Sequence, residues 1–555
     1  MKKIISVFLV ILPLIANSAE LSSSIYHYLK GLDRAERGLY REAIAEIENA
    51  LKFDPSSSVL RTELGNLYMR IGELAKAEEL LKDALAINPK NRMALLLLGG
   101  LYSVKRDSQS AKKIYEQCIQ TFEDDTECYV HLASILLSEG KFLEAKSIYE
   151  KIAQYDPDNI IALYYLGRIL AEMKDYKSAK SYFLRLLEIR PNFEMALFDL
   201  ATLYEIEGET SKAKELYERI LLINPSNRIV RNRMANIYVR EKEYEKAIFE
   251  YEQIYQIDRK DLSLRVKIGL LYMEMGRFDD AIREFNLFLA SNPKNHTVRM
   301  YLGHALREKG LLKNAIDEFS KIPPDADEFL IALRNLTILF IRAELLDEGI
   351  EKLKTYLEKA KEKKEIYVLL SLLYEEKTDY NSGIKMLQEA LKLDPKSLDT
   401  LYSLGMLYEK SGNTDEALNC MQKILSEDPE HPDALNFIGY TFAERNINLD
   451  EAEAMIKKAL LKKPDAGYII DSLGWVYFKK GLLQEALEQI LKAHELLPDD
   501  PTICEHLGDI YTAMGKYDKA IEFFEKSLSF EKREEKRKEV ERKIKEIKNK
   551  MEKGS

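Results

Sequence analysis

Few residues in this 555-residue sequence are placed to do chemistry. It holds no Gly-rich loop to cradle phosphate, no HExxH pair for a metal ion and no nucleophile elbow. Its seven histidines are scattered, and His296 and His304, which fall on one helix, lack carboxylate or Cys neighbours at ligand spacing. The many Asp and Glu residues read as surface partners of Lys and Arg. We therefore expect no enzyme: no catalytic residue, no metal and no cofactor. Recognition is better served. Arg228, Arg231, Asn232, Arg233, Asn236 and Arg240 crowd one short stretch, and Asn232, Asn236 and Arg240 recur at i, i+4 and i+8. That spacing puts three donors on one helical face, where charge-assisted hydrogen bonds could hold a carboxylate or another anion. A solvated basic face is the plainer alternative.

The elements that carry such residues are dictated by a repeat. Pro55, Pro89, Pro157, Pro191, Pro225, Pro293, Pro395 and Pro429 lie on one 34-residue grid, which a one-residue insertion shifts to Pro464 and Pro498. Between prolines the same signature returns, as Leu64, Gly65, Tyr68, Gly72, Ala77, Leu81 and Ala84, and again as Leu507, Gly508, Tyr511, Gly515, Ala520 and Phe524. Leu64, Gly65 and Tyr68 make a stripe on one helix; Ala77, Leu81 and Ala84 make the facing stripe on a second. Gly72 marks the turn, Gly65 and Ala77 let the helices approach closely, and Pro89 ends the hairpin because it cannot continue a helix. One hairpin cannot bury its apolar faces alone, so the units must stack.

This pattern resembles the tetratricopeptide repeat family over residues 24–534. The resemblance implies an all-α fold, an α-solenoid coiled as a right-handed superhelix from about 15 tandem 34-residue helix-turn-helix units. Residues 19–23 read as a lead-in, 24–329 as units one to nine, 330–397 as diverged units ten and eleven, 398–534 as units twelve to fifteen, and 535–555 as a charged capping helix. Gly349 and Gly383 stand where the family prefers Ala, and Pro323-Pro324 ends the preceding helix early, so residues 321–365 are read as a weak joint or as a merely diverged pair. In the tail, Val540, Ile544, Ile547 and Met551 share one helical face, as expected of a cap over the last repeat or of a partner-binding tail.

By the same resemblance, the second, fifth, ninth, twelfth and thirteenth positions of each unit line a concave groove. Asn436, Tyr440, Tyr468, Asp471, Trp475 and Phe478 then fall on adjacent turns, and aromatic side chains with polar tips suit binding hot spots. The alternative makes Trp475 and Phe478 buried packing residues. Some members of the family clamp a partner's terminal carboxylate with Lys and Asn from consecutive units. Asn236 is suitably placed for this, but Asn232 stands where the clamp uses Lys, and the next unit offers only Lys267 at an altered position. Cys118 occupies a packing position in the third unit and Cys128 begins the fourth, so a disulfide between neighbouring helices is within reach; Cys420 and Cys504 should not meet.

Composition agrees with this picture. A chain with 46% hydrophobic and 32% charged residues suits many small, well-solvated cores, and a net charge of −10 argues against nucleic-acid partners. Lys2 and Lys3 followed by the apolar run Ile4 to Ala16 read as a signal peptide over residues 1–18, with Ala16 and Ser18 placing cleavage before Ala19. The run is short of the roughly 20 residues of a spanning helix. No Cys near the cut invites lipidation. The expected protein is exported and periplasmic, no lipoprotein, with no stable membrane span after cleavage. Three functions remain open: a scaffold for protein or peptide segments in envelope assembly, secretion or export; a polysaccharide-binding component whose aromatics stack on sugars; and a structural spacer between envelope proteins.

Overall fold

The computed structural model describes residues 19–554; the expected signal peptide and its cleavage point lie outside the described residues. Every regular element within them is an α-helix, and the helices form fifteen consecutive hairpins followed by one terminal helix, an all-α repeat solenoid. The second hairpin is representative. Its helices, Ser58–Arg70 and Leu74–Ile87, are joined by Ile71, Gly72 and Glu73. Ser57 caps the first helix by accepting the Leu60 N–H, and Gly72 has φ of 84°, the left-handed conformation that ends such a helix without steric cost. Ser58 Oγ donates to Ala84 O at 2.9 Å and pins the two open ends together, as Ser24 does to Ala50 O in the first hairpin.

Glycine on the first helix is required by what faces it. A Cβ on Gly167 would lie 2.6 Å from the Phe183 ring of the partner helix. The Gly349 position, which breaks the family pattern, obeys the same rule in reverse: a Cβ there would meet Phe340 at 2.8 Å, so a larger side chain from the first helix fills the volume that the second gives up. The inserted residue of the thirteenth hairpin lies between Pro432–Glu444 and Leu449–Lys462, where Asn446 and Asn448 both take positive φ.

The chain divides into two compact units, Met1–Asp261 and Leu262–Ser555, with the boundary before the eighth hairpin and outside residues 321–365. Within each unit, first helices touch the first helices of following hairpins, as Ile160–Glu172 touches Glu194–Ile206 and Pro432–Glu444 touches Gly467–Lys479. Second helices approach their counterparts less, so the first-helix face is the inner side of each unit. At the N-terminal end, helix Ala19–Glu36 begins five residues before the expected first unit and absorbs the supposed lead-in. At the other end, Val540, Ile544 and Ile547 of helix Glu534–Gly554 are buried against Leu507, Phe523 and Phe524, while Met551 is 37% exposed and lies outside that stripe. No helix among the described residues is long and apolar enough to cross a membrane.

Candidate functional site

Two regions of first-helix face concentrate recognition residues, and they are built differently. In the second unit, helices Pro432–Glu444, Gly467–Lys479 and Pro501–Ala513 bring Tyr440, Asp471, Trp475 and His506 together. The Trp475 indole stacks on the His506 imidazole with centroids 3.9 Å apart and on Phe478 at 4.8 Å, and its Nε1 donates to Glu444. His506 Nδ1 lies 2.9 Å from Asp471 Oδ1. Burial alone would lower the imidazole's pKa; attraction to Asp471, then the hydrogen bond to it, outweighs burial and raises it. Burial, with Glu444, Asp471, Glu505 and Glu409 nearby, pushes the Tyr440 hydroxyl far above its ordinary value. Lys543 of the terminal helix closes the cluster, bonding Glu505 and Asp509 at 2.7 Å each.

The residues expected to line a groove are placed at different depths in this patch. Trp475 is only 7% exposed and Asp471 is buried in an ion pair, so neither offers an open face. Phe478 is half-buried against the indole. Tyr468 is exposed, and its hydroxyl donates to Asp433 at 2.6 Å. Asn436 keeps a buried Oδ1 without a hydrogen-bond partner.

In the first unit, helices Ile160–Glu172, Glu194–Ile206 and Arg228–Arg240 enclose an open cavity of about 400 Å³. Tyr164, Arg168, Glu194, Met195, Phe198, Asp199, Asn227 and Ile229 line it. Asp199 Oδ2 is buried and has no hydrogen-bond partner; Arg168 Nε stops 3.9 Å short of it. Burial raises the Asp199 carboxyl, against lowering by the Tyr164 hydroxyl and Arg168, and pushes Tyr164 up to about 12. The signals for this site were Ile161, Met195 and Ile229 at the second position of three successive hairpins and Asp199 inside an otherwise apolar stretch, Met195 to Ala201.

The basic stretch of the seventh hairpin adjoins this cavity, and carboxylates occupy its arginines. Arg228 bonds Asp258 and Asp261, Arg231 bonds Glu250 at 2.6 Å, and Arg240 and Arg233 lie 2.8 and 3.8 Å from Glu205. Asn236 Oδ1 accepts from the Tyr251 hydroxyl, and Asn232 is half-buried. Lys267 belongs to the second unit. The stretch thus carries its own counter-charges. Cys118 and Cys128 are joined as a disulfide with Cα atoms 6.2 Å apart, and Cys420 and Cys504 are buried thiols.

Comparison with known proteins agrees with the repeat. A family model described as tetratricopeptide repeat matches residues 34–102, 136–201 and 373–439, and two others of the same description match 266–329 and 196–227, 230–261 and 501–533. TPR repeat-containing protein PA4667 of Pseudomonas aeruginosa is 36% identical over 74 residues, 13% of this chain and 12% of that protein. Among solved structures, the C-terminal part of a TPR repeat-containing protein from Cytophaga hutchinsonii is 17% identical over 43% of this chain and 97% of its own, with a TM-score of 0.38. A protein from the Cut9-Hcn1 hetero-tetramer of the APC/C is 16% identical over 95% of this chain and 96% of its own, with a TM-score of 0.33. With the fifteen hairpins and family matches over more than half of its length, this chain belongs to the tetratricopeptide repeat family.

Proposed function

We propose that this protein is a non-catalytic scaffold that binds protein or peptide segments along its first-helix face, in the assembly, secretion or export machinery of a cell envelope. One observation carries the reading. Val59, Met93, Ile161, Met195 and Ile229 occupy the same position of five first helices in the first unit and remain 46–66% exposed. A row of large apolar side chains in register on one face invites a partner chain, because isolated exposed apolar residues are ordinary but an aligned set is not. Glu127 interrupts the row and pairs with Arg92.

The Cys118 to Cys128 disulfide supports an oxidising compartment and so agrees with export. In the second unit, the exposed Tyr468 and the half-buried Asn436 and Tyr440 are the residues of the patch left for partner contact. Sugar stacking is less well supported, since His506 and Phe478 already lie against the indole. The test is affinity capture from envelope extracts by the chain beginning at Ala19, compared with an Ile161→Ser, Met195→Ser, Ile229→Ser variant. The scaffold reading expects specific partners to disappear from the variant while its helical content is unchanged; an identical set of captured proteins would remove it.

A further inference from the structure

The cavity over hairpins five to seven narrows the chemistry of the partner, an inference that rests on the scaffold reading. Its lining holds one cation, Arg168, and two carboxylates, Glu194 and Asp199. Glu194 is occupied: its Oε1 accepts the Asn227 side-chain N–H at 2.7 Å. Asp199 is less well served: its Oδ2 is shielded from water and accepts no hydrogen bond, with Arg168 Nε 3.9 Å away as its one ion-pair partner, and a buried carboxylate oxygen without a hydrogen-bond donor is costly. Arg168 leaves the debt in place. Its guanidinium is more than half exposed and sits over the Tyr164 ring, 5.9 Å from the centroid. The arginines of helix Arg228–Arg240 are engaged by Asp258, Asp261, Glu250 and Glu205. The cavity thus holds one carboxylate oxygen that no hydrogen-bond donor reaches.

Around that deficit the walls are apolar. Phe198 is half-buried, and Met195 and Ile229 stand exposed at the rim, in line with Ile161. A side chain with a long apolar stem and a cationic head satisfies both demands at once, since Lys and Arg bury their methylenes and present the charge at the tip. The exposed rim extends beyond the volume of one side chain, so aliphatic residues flanking the cation would meet Ile161, Met195 and Ile229. We infer that this cavity binds a Lys or Arg side chain of a partner segment rich in aliphatic residues, with the cation on Asp199 and the stem on Phe198 and Met195.

The experiment uses the chain beginning at Ala19 and three fluorescein-labelled peptides, built from Leu and Lys, from Leu and Glu, and from Ser and Lys, with binding read by anisotropy. The Leu/Lys peptide should bind at least about tenfold more tightly than either other, and Asp199→Asn should weaken it about tenfold, the range of one hydrogen-bonded charge. Glu215→Gln, which removes an exposed negative charge on the neighbouring second helix, should leave it unchanged. Asn is isosteric with Asp, and thermal unfolding should show Asp199→Asn to be folded. Equal binding of the Leu/Glu peptide, or no effect of Asp199→Asn, overturns the cation assignment. If Leu peptides of either charge lose binding in the Ile161→Ser, Met195→Ser, Ile229→Ser variant, the scaffold reading survives that failure. If that variant binds every peptide like the parent, the scaffold reading falls with it.

Discussion

The cavity around Asp199 and the cluster around Trp475 use similar residue types, an aromatic set with carboxylates on three successive first helices, yet one is open and the other closed. Around Trp475 the stacked rings and the charged groups are paired: indole on imidazole, imidazole on Asp471, indole N–H on Glu444, and Lys543 over Glu505 and Asp509, while the Asn436 Oδ1 alone of the named patch residues stays buried without a donor. Around Asp199 one carboxylate oxygen, Oδ2, accepts no hydrogen bond, and the aliphatic rim faces solvent. Aromatic content alone therefore does not distinguish a binding surface from a packed end layer. Satisfaction of the polar groups does, because a completed network has little to gain from a ligand and an incomplete one has an unmet hydrogen bond to offer.

The comparison is broken most directly by opening the closed region. Asp471→Ala leaves His506 buried beside an empty place, and removing one partner of a buried ion pair costs about 3–5 kcal/mol. Urea unfolding followed by the emission of Trp475, the one tryptophan of the chain, should show that loss in the second unit. Binding of the Leu/Lys peptide should be unaffected; if it weakened, the two regions would not be independent. The same indole reports the proton. The His506 pKa is raised, so the pair's contribution is fully present below the ordinary imidazole value of about 6.5 and is lost as pH rises through the raised value. Asp471, Asp509 and Glu444 face the imidazole and hold it charged. A single-proton step in Trp475 emission above pH about 6.5, absent in His506→Gln, is the expected result; a step below that value would reverse the assignment.

A second lever acts on the open region's own unit. The disulfide closes a short loop, ten residues in sequence separation, between Ser108–Thr121 and Thr126–Ser138. Restricting the unfolded chain over that length contributes about 2–3 kcal/mol, so Cys118→Ser or a reductant should lower the stability of the first unit by that amount and leave the Trp475 transition in place. A third is steric and serves as a scale. Gly167→Ala would press a Cβ onto Phe183 and should cost about 1–3 kcal/mol, read from the thermal midpoint of the first unit.

What was legible in the sequence follows from which interactions repeat. The hairpins were readable because Gly65 facing Leu81 and Gly508 facing Phe524 are the same contact at the same spacing, so periodicity announces packing directly. Whether Trp475 is open was not readable: that depends on Glu444 one hairpin before it and His506 one hairpin after it, neither of which the repeat requires. Asp199 escaped for the opposite reason, since its distinguishing property is one oxygen that no hydrogen-bond donor of three hairpins reaches. Gly349 looked like a weakness because only one side of an exchange is visible in a local stretch, and Phe340 supplies the other.

The smallest expected effect bears on the basic stretch of the seventh hairpin. Arg240 is more than half exposed and bonds Glu205, which also accepts the Tyr217 hydroxyl at 3.1 Å and has Arg233 at 3.8 Å. A solvent-screened pair of this kind is worth about 0–1 kcal/mol, and Glu205 keeps two other partners when Arg240 is removed. Arg240→Ala should therefore change the stability of the first unit by less than about 1 kcal/mol and should not change the weak binding of the Leu/Glu peptide. Were that peptide to bind the parent protein tightly and lose its affinity in Arg240→Ala, the arginines would be serving a ligand's anion in preference to Glu205. The contrast drawn between a satisfied stretch and an unsatisfied Asp199 would then fail at its nearest point, since the two share helix Arg228–Arg240 as a wall.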